Sequence, residues 1–198
     1  MIINFDGPKR VMYLVRHGHF DVMARPADGL EGGLTALGRK QARLTAKRLS
    51  RLPITALYHS DLRRAAETAA IIAEKFPGVP VHASRLLREC IPGVPANQAE
   101  HFAHLPAERL QHEERQAERA YERFFKLSRR GDQHEIIVCH GNLIRYFLCR
   151  VLESPPGAWG RMDVRQGSLS EVVLQPGWCR VNSLSDVGHL PPALWTYF

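Results

Sequence analysis

Three short apolar segments of this chain each end at a cluster of polar residues, and this arrangement constrains the fold more than any other feature of the sequence. The segments run from Val11 to Val15, from Ile54 to Tyr58 and from Ile136 to Cys139, and the clusters after them read RHGH, HSD and HGN. Short apolar runs of this kind are typical of strands that are buried on both faces. Because helical patterns separate them, the sequence predicts an α/β fold with a largely parallel sheet.

Four segments have the pattern of helices, and most of them begin at a residue type that favours a helix start. They begin after Thr35, at Ser60 or Asp61, near Pro106 and at Asn142, and the last three end at 77–78, near Arg130 and at Val151. The charged residues of the third helix are expected on a solvated face, with its aromatic residues turned inward. The tail from Gly167 predicts a hairpin or an edge strand that returns to the sheet.

The chain length of 198 residues fits one domain, so we expect residues 1–198 to fold as a single unit. Hydrophobic residues make up 44% of the sequence and charged residues 24%, which is ordinary for a globular protein. The sequence contains neither a signal-peptide core nor the roughly 20 consecutive apolar residues of a membrane span. We therefore expect no membrane attachment and a cytoplasmic location.

The formal net charge of +7 rests mainly on arginine, a residue suited to bidentate phosphate contacts. Such a surface attracts phosphates, acidic proteins or nucleic acid. The arginines are scattered along the chain, and no aromatic stacking platform accompanies them. We therefore do not expect a nucleic-acid partner.

The polar clusters are expected to meet, because ligands in open α/β sheets bind outside the carboxyl ends of the strands. This edge would bring Arg16, His17, Arg64 and His140 together, with Glu89 in reach from the segment SRLLREC. Two guanidinium forks can hold a phosphate dianion while a neutral imidazole attacks phosphorus. The second histidine can stabilise developing charge, and the glutamate can protonate a leaving group and then activate water.

The segment His140-Gly141-Asn142 lies where a strand meets a helix N-terminus. Free backbone N–H groups at such a junction favour an anion, so Gly141 and Asn142 are expected to help bind the substrate phosphate. Phosphoryl transfer by these residues requires neither a metal ion nor a cofactor, and we expect none.

Two alternatives stay open at this point. In the first, His17, His19 and Asp21 begin a metal site of a metallohydrolase, although the further histidine typical of such sites is replaced by Val22 and Met23. In the second, the protein holds phosphorylated partners without turnover. Chelator sensitivity and a phosphoryl label on histidine distinguish the three hypotheses.

The segments LVRHG, LTALGRKQA, HSDLRRAAETAAII, LLRE and VCHGN, in this order, resemble the histidine phosphatase (phosphoglycerate mutase-like) superfamily over roughly residues 11–192. Within it, HSDLRRAAET, LLRE, CHGNLIRYFLCRVLESPPGAW and SDVGHLPP resemble most closely the branch of mitochondrial protein serine/threonine phosphatases.

The resemblance implies a three-layer α/β/α fold and a role for each matched residue. His17 would form a phosphohistidine, Arg16 and Arg64 would bind the phosphate, Glu89 would act as general acid and base, and His140 would complete the pocket. The superfamily pattern S-x-L-x-R-A selects Arg64 over Arg63, which is expected to point to solvent or to the rim.

The implied activity is that of a metal-independent phosphatase acting on phosphate monoesters, with phosphoserine and phosphothreonine proteins or phosphohistidine as substrates. The alternatives within the superfamily are a phosphatase of small phosphate esters and a phosphoglycerate mutase-type phosphotransferase. The longer loop after RHG and the tyrosine-glycine motif of true mutases are absent, which favours transfer to water. Relatives also imply a homodimer.

Substrate selection is expected from the rim of the pocket, residues 19–32 and 91–106, where His19 stands with no assigned role. Fifteen residues precede Arg16, so we do not expect the membrane anchor and assembly segment of the mitochondrial branch.

Overall fold

The predicted strands form the centre of a six-stranded sheet in a computed structural model that describes residues 7–24 and 32–197. In chain order the strands are β1 Arg10–Arg16, β2 Ala56–Ser60, β3 Val81–Ser84, β4 Gln133–Cys139, β5 Leu169–Gln175 and β6 Trp178–Asp186. Across the sheet their order is β3, β2, β4, β1, β5, β6. The pairs β3–β2, β2–β4 and β4–β1 are parallel. β5 runs antiparallel to β1, and β6 runs antiparallel to β5. The mostly parallel sheet predicted from the sequence is confirmed.

The C-terminal hairpin β5–β6 is also confirmed, and its turn lies at Pro176 and Gly177. One strand, β3, has no counterpart in the sequence prediction. Its residues are largely exposed at the edge of the sheet, so it lacks the apolar run that marks the central strands.

Helices fill the segments between the strands. They are α1 Ala36–Leu49, α2 Arg63–Ala73, α3 Ala99–Phe102, α4 Ala107–Phe124 and α5 Gly141–Val151, with 3-10 turns at Arg85–Leu87, Ala96–Gln98, Pro156–Arg161 and Pro192–Leu194. The predicted cap of α1 is confirmed, since the Gly38 N–H donates to Thr35 Oγ1 at 3.2 Å. Within the described residues, no helix combines the length and apolarity needed to cross a membrane.

Three helix boundaries differ from the prediction. α2 ends at Ala73, short of 77–78, because the Lys75 and Phe76 N–H groups donate to the carbonyls three residues earlier, at 3.0 and 2.9 Å, and so tighten the chain out of the α-helix. α2 begins at Arg63 because the Ser60 hydroxyl accepts from the Leu62 N–H at 3.2 Å, and this bond stabilises the turn before the helix. α4 ends at Phe124, short of Arg130, because Phe125 leaves the helical backbone conformation with ψ of 56°.

Alternation along β1 divides the core into two layers. Val11, Tyr13 and Val15 pack with residues of α1 and α2 on one face of the sheet, whereas Met12 and Leu14 pack with α4 and α5 on the other. This confirms the three-layer α/β/α arrangement.

The register of the central strands decides where the polar clusters lie. Arg16 stands opposite Cys139 in the β1–β4 pair, and His59 stands opposite Val138 in the β2–β4 pair. The three strands therefore end at the same level, and the residues after them share one edge of the sheet.

Candidate active site

His17 is the first residue after β1, and hydrogen bonds fix both its backbone and its side chain. Its backbone N–H donates to the Cys139 carbonyl at 3.1 Å, and its side chain is only 2% exposed. Ring nitrogen Nδ1 lies 2.8 Å from the Gly18 carbonyl, while Arg64 donates through Nε to Nε2 at 3.0 Å. Because a guanidinium only donates, the ring carries its proton on Nδ1 and its lone pair on Nε2.

The surroundings of His17 keep this ring neutral. Burial is the largest cause that lowers its pKa well below the usual value for histidine, and the positive charges of Arg64 and Arg16 lower it further. At neutral pH the Nε2 lone pair is therefore available to attack an electrophile.

The loop after His17 lies directly against the start of α1. A Cβ atom added to Gly38 would come within 1.9 Å of the His19 carbonyl oxygen, and one added to Gly18 within 2.6 Å of the Gly38 oxygen. The Gly18 N–H also donates to Thr68 Oγ1 at 3.1 Å. These backbone contacts need glycine at both positions, and they fix the position of the histidine in the loop.

His140 occupies the N-cap position of α5, where β4 passes into the helix. The ring is fully buried, and its centroid lies 5.1 Å from that of His17. Neither of its nitrogens has a hydrogen-bond partner among the described residues. Burial lowers its pKa well below the usual value, and His17 and the two arginines add to the effect. A neutral, buried imidazole with both nitrogens unsatisfied can hydrogen-bond a polar substrate group.

Two predicted arginines border the histidines. Arg64 is 4% exposed, and burial lowers its pKa to about 10, so the side chain stays cationic at neutral pH. Arg16 donates through Nη1 to the carbonyls of Val164, at 2.5 Å, and Tyr197, at 2.8 Å. Its buried Nε has no partner in the described part of the chain. The C-terminal segment thus anchors one end of this guanidinium.

A third arginine, Arg145, lies in the same cluster and was not predicted. A Cβ added to Gly141 would lie 3.4 Å from both Arg145 Nη2 and Arg16 Cζ, so the two guanidinium groups flank this glycine. Arg145 Nε donates to the Gly141 carbonyl at 3.2 Å. The signal was present in the sequence, because a residue four positions after Gly141 lies one helical turn away on the same face.

Glu89 faces this group of positive charges. Burial raises the pKa of its carboxyl, and the charges of Arg16, Arg64 and Arg145 oppose that increase. The nearby Asn142 backbone also opposes the increase, and the Cys90 N–H donates to Glu89 Oε1 at 3.3 Å. The N-terminus of α5, which was expected to bind phosphate, therefore lies close to a protein carboxylate.

Phe20 is a further residue that the sequence analysis missed. Its ring meets the His17 ring edge-on at a centroid distance of 5.1 Å, and Arg64 Cζ lies 4.6 Å from its centroid. The aromatic ring covers both groups on the side of the loop, which limits the access of water to them.

The three residues of the alternative metal site contact other partners. His19 Nδ1 lies 2.9 Å from Thr35 Oγ1, and Asp21 Oδ1 accepts from the backbone N–H groups of residues 23 and 24. The described residues contain no group of three histidine, cysteine, aspartate or glutamate side chains that could hold a metal ion. Of the predicted rim segment 19–32, residues 25–31 lie outside the described part of the chain.

Comparison with known proteins identifies relatives of this chain. The model of the histidine phosphatase superfamily (branch 1) matches residues 12–187. The mitochondrial serine/threonine-protein phosphatase Pgam5 of Caenorhabditis briggsae is 37% identical over 190 residues, which are 92% of this chain and 65% of the relative. The human protein of the same name is 36% identical over 194 residues, or 92% of this chain and 64% of the relative. This chain thus spans about 65% of the length of these relatives.

Solved structures of phosphoglycerate mutase-like proteins share the fold of this chain. A phosphoglycerate mutase from Plasmodium falciparum superposes with a TM-score of 0.65 at 31% identity, covering 97% of this chain and 100% of that one. YhfR of Bacillus stearothermophilus superposes with a TM-score of 0.73 at 22% identity, covering 92% of this chain and 100% of that one. The phosphoglycerate mutase-like fold implied by the sequence resemblance is confirmed.

The predicted cytoplasmic location is wrong by the same comparison, because the similar curated proteins are named as mitochondrial. That prediction relied on the lack of an apolar run, which bears on membrane insertion. An organelle address is read by a receptor and leaves no mark on the composition of a folded catalytic core.

Proposed function

This chain belongs to branch 1 of the histidine phosphatase superfamily, and from that premise we propose that it is a metal-independent phosphatase that hydrolyses phosphate monoesters through a phosphohistidine. One observation carries the proposal. The neutral His17 ring turns its Nε2 lone pair toward the guanidinium of Arg64 at 3.0 Å, beside the unsatisfied ring of His140. A nucleophile, a cation and a charge-stabilising donor therefore meet at one point, as phosphoryl transfer requires.

In the first step, His17 Nε2 forms a bond to phosphorus as the bond from phosphorus to the ester oxygen breaks. Protonated Glu89 gives its proton to that leaving oxygen, and its raised pKa supports this role. Arg16, Arg64 and Arg145 hold the oxygens of the transferring group, and His140 hydrogen-bonds one of them.

In the second step, a water molecule gives a proton to the Glu89 carboxylate and its oxygen bonds to phosphorus. The nitrogen–phosphorus bond breaks, the electron pair returns to Nε2 of His17, and inorganic phosphate leaves. Both steps use residues of this chain alone, and the glutamate alternates between acid and base.

The family implies phosphorylated substrates, and we propose phosphoserine or phosphothreonine in proteins as the class. Support comes from the names of the relatives that are 36–37% identical to this chain. Small phosphate esters are the alternative, because the proposed site residues would contact the phosphoryl group and not its carrier.

A phosphoglycerate mutase activity is the second candidate function. It is favoured by the 31% identity with the Plasmodium falciparum enzyme over nearly the whole chain. Interconversion of the two monophosphoglycerates, followed by NMR, would reveal it. Release of inorganic phosphate from the same compounds would support the hydrolase instead.

The test is a screen of phosphopeptides and small phosphate esters in the presence of EDTA, with kcat/KM compared across the set. We expect hydrolysis to persist with the chelator and to be lost in the variant His17→Ala. Rapid quenching with a labelled phosphodonor should give an acid-labile, base-stable label on His17.

Contrary results separate the alternatives. Loss of activity with EDTA, together with zinc or iron in the purified protein, would support the metallohydrolase. Binding of phosphopeptides without any label or turnover would support the binding protein. A clear preference for one class of ester identifies the substrate class.

The homodimer implied by relatives and the single domain of residues 1–198 also stay predictions. Sedimentation equilibrium would establish the first. A single cooperative unfolding transition seen by two spectroscopic probes would support the second.

A further inference from the structure

Glu89 does not lie on a helix or a strand. It follows the 3-10 turn Arg85–Leu87 in a segment without regular structure. A proton donor in catalysis must be held within a fraction of an ångström of its productive position. The position of the Glu89 carboxyl therefore depends on the contacts that fix this segment.

The first contact is an ion pair with the turn between β2 and α2. Arg88 donates through Nε to Asp61 Oδ1 at 2.6 Å and through Nη2 to Asp61 Oδ2 at 2.7 Å, and both side chains are partly buried. This bidentate pair ties the residue before Glu89 to the turn that leads, three residues later, to Arg64. The proposed acid and a proposed phosphate ligand are thus linked through one carboxylate.

The second set of contacts comes from α4. Gln116 donates through Nε2 to the Arg88 carbonyl at 2.9 Å, and the Ile91 N–H donates to Glu113 Oε2 at 2.7 Å. Gln116 and Glu113 are three residues apart and share one face of the helix. The helix therefore binds the backbone immediately before Glu89 and two residues after it.

We propose that Asp61, Gln116 and Glu113 are positioning residues that hold Glu89 against the leaving oxygen of the substrate. This rests on the proposed function, in which Glu89 is the general acid. None of the three touches the reacting atoms. They act through the backbone of residues 88–91 and through Arg88.

The experiment uses two substrates that differ in their need for an acid. p-Nitrophenyl phosphate releases a weakly basic phenolate that departs without protonation, whereas a phosphoserine peptide releases an alkoxide that needs a proton. For both substrates, kcat/KM depends on the steps up to formation of the phosphoenzyme, in which the leaving group departs. The ratio of the two kcat/KM values therefore measures how well the acid works, and a general loss of stability does not change it.

We expect Asp61→Asn, Gln116→Met and Glu113→Gln each to lower kcat/KM for the phosphopeptide about ten- to a hundredfold, the cost of misplacing a catalytic group by about 1 Å. The kcat/KM for the aryl ester should fall less than threefold. Arg88→Gln should have most of the effect of Asp61→Asn, because the exposed Arg85, at 3.7 Å, is the weaker partner of the Asp61 carboxylate. The double variant should be no worse than Asp61→Asn alone, because that substitution already removes the ion pair with Arg88.

Glu118→Gln is the matched control. Glu118 lies on the same helix but pairs with Arg150 and Tyr146, so its loss should leave the substrate ratio unchanged. Thermal unfolding of each variant shows which ones remain folded, and the two independent positions 61 and 116 keep the test decisive if one variant does not fold.

Equal losses on the two substrates in the folded variants would overturn the proposal, because the contacts would then support only the fold. Glu89→Gln separates this outcome from failure of the proposed function. If that variant discriminates between the esters while Asp61→Asn and Gln116→Met do not, only the positioning role fails. If Glu89→Gln itself shows no discrimination, Glu89 is not the acid, and the positioning proposal fails together with that step of the mechanism, whereas the label on His17 tests the phosphatase function itself.

Discussion

Arg64 Nε donates a hydrogen bond to His17 Nε2 across 3.0 Å. Both residues are buried, and the guanidinium keeps its proton at neutral pH, so the contact keeps Nε2 unprotonated. When a phosphoryl group arrives, the same donor can turn to a phosphate oxygen as Nε2 bonds to phosphorus. One arginine thus protects the nucleophile and then binds the group transferred to it.

Arg64→Gln should therefore weaken binding of the phosphoryl group and change the pKa of the nucleophile His17. We expect kcat/KM to fall about 10²- to 10³-fold, as on removal of other charge-stabilising donors. The pKa of His17 should rise, because a positive charge beside it is lost. Steady-state kinetics and an NMR titration of the imidazole measure the two effects. Arg63→Gln is the control, and the role of Arg64 is wrong if that neighbouring substitution is equally harmful.

The pH dependence of kcat/KM should reflect Glu89 on its alkaline side. The carboxyl must be protonated in the first step, and its raised pKa keeps the acid form present above the usual range of glutamate. The rate should therefore decline as pH rises through that raised pKa. With a phosphoserine peptide, Glu89→Gln should be slower and should lose this decline. An unchanged alkaline limb in the variant would contradict the assignment.

Arg145 should contribute to phosphate binding although the sequence analysis did not include it. Its guanidinium lies beside Gly141 together with that of Arg16. We expect Arg145→Gln to raise KM and lower kcat/KM about tenfold, as on loss of one charge-assisted hydrogen bond. Arg150→Gln, on the same helix but paired with Glu118, should leave KM within twofold of the native value. Equal effects at both positions would argue against a specific role.

The buried histidines should make the protein sensitive to acid. The pKa values of His17 and His140 are lowered by folding, so the unfolded chain binds more protons once pH falls below about 6.5. Stability is thus present above that pH and is lost as pH falls toward the folded-state pKa values. Each histidine contributes at most about 1.4 kcal/mol per pH unit to the slope of the free energy of unfolding against pH. Urea unfolding at several pH values, in a buffer free of phosphate, measures this slope.

The variant His17→Asn/His140→Asn provides the comparison for that slope. Other titrating groups are the same in both proteins, so the difference between the two curves isolates the two rings. Parallel curves would show that the histidines are not held neutral in the folded state.

Gly38→Ala should disturb the candidate active site, although Gly38 belongs to α1 and is not one of the proposed site residues. The added Cβ would meet the His19 carbonyl oxygen at 1.9 Å, so the loop that carries His17 must move. We expect a loss of about 1–3 kcal/mol in the free energy of unfolding, typical of overpacking, and a fall in kcat. Gly157→Ala is the matched control, since its nearest neighbour would lie 3.5 Å away. Full activity in the Gly38 variant would contradict the close approach.

The central strands could be predicted because each has its own apolar run, and their parallel arrangement brings RHGH, HSD and HGN to one edge. The edge strand Val81–Ser84 could not be predicted, because exposed residues leave no pattern of burial. Glu89 was predicted from a short motif, although a glutamate at the surface would give the same letters.

Phe20 and Arg145 were missed for a related reason. Phe20 lies on a loop whose path depends on contacts with α1, and Arg145 resembles any polar residue on a buried helix until its orientation is known. Helical periodicity places Arg145 on the same face as Gly141, but it does not show that this face meets the histidines, and local sequence gives no path for the loop of Phe20. Only the packing of α5 and of the loop against the sheet brings these side chains to the histidines.

The sequence by itself determined the alternation of the central strands with helices and the set of polar residues at the strand ends, because these follow from periodicity along the chain, whereas the three-layer architecture was implied by the family resemblance. The tertiary structure alone decided which nitrogen of His17 holds the lone pair, why both histidines are neutral and how the segment around Glu89 is held. Those properties depend on burial and on hydrogen bonds between residues far apart in sequence, such as His17 and Arg64, which are 47 positions apart.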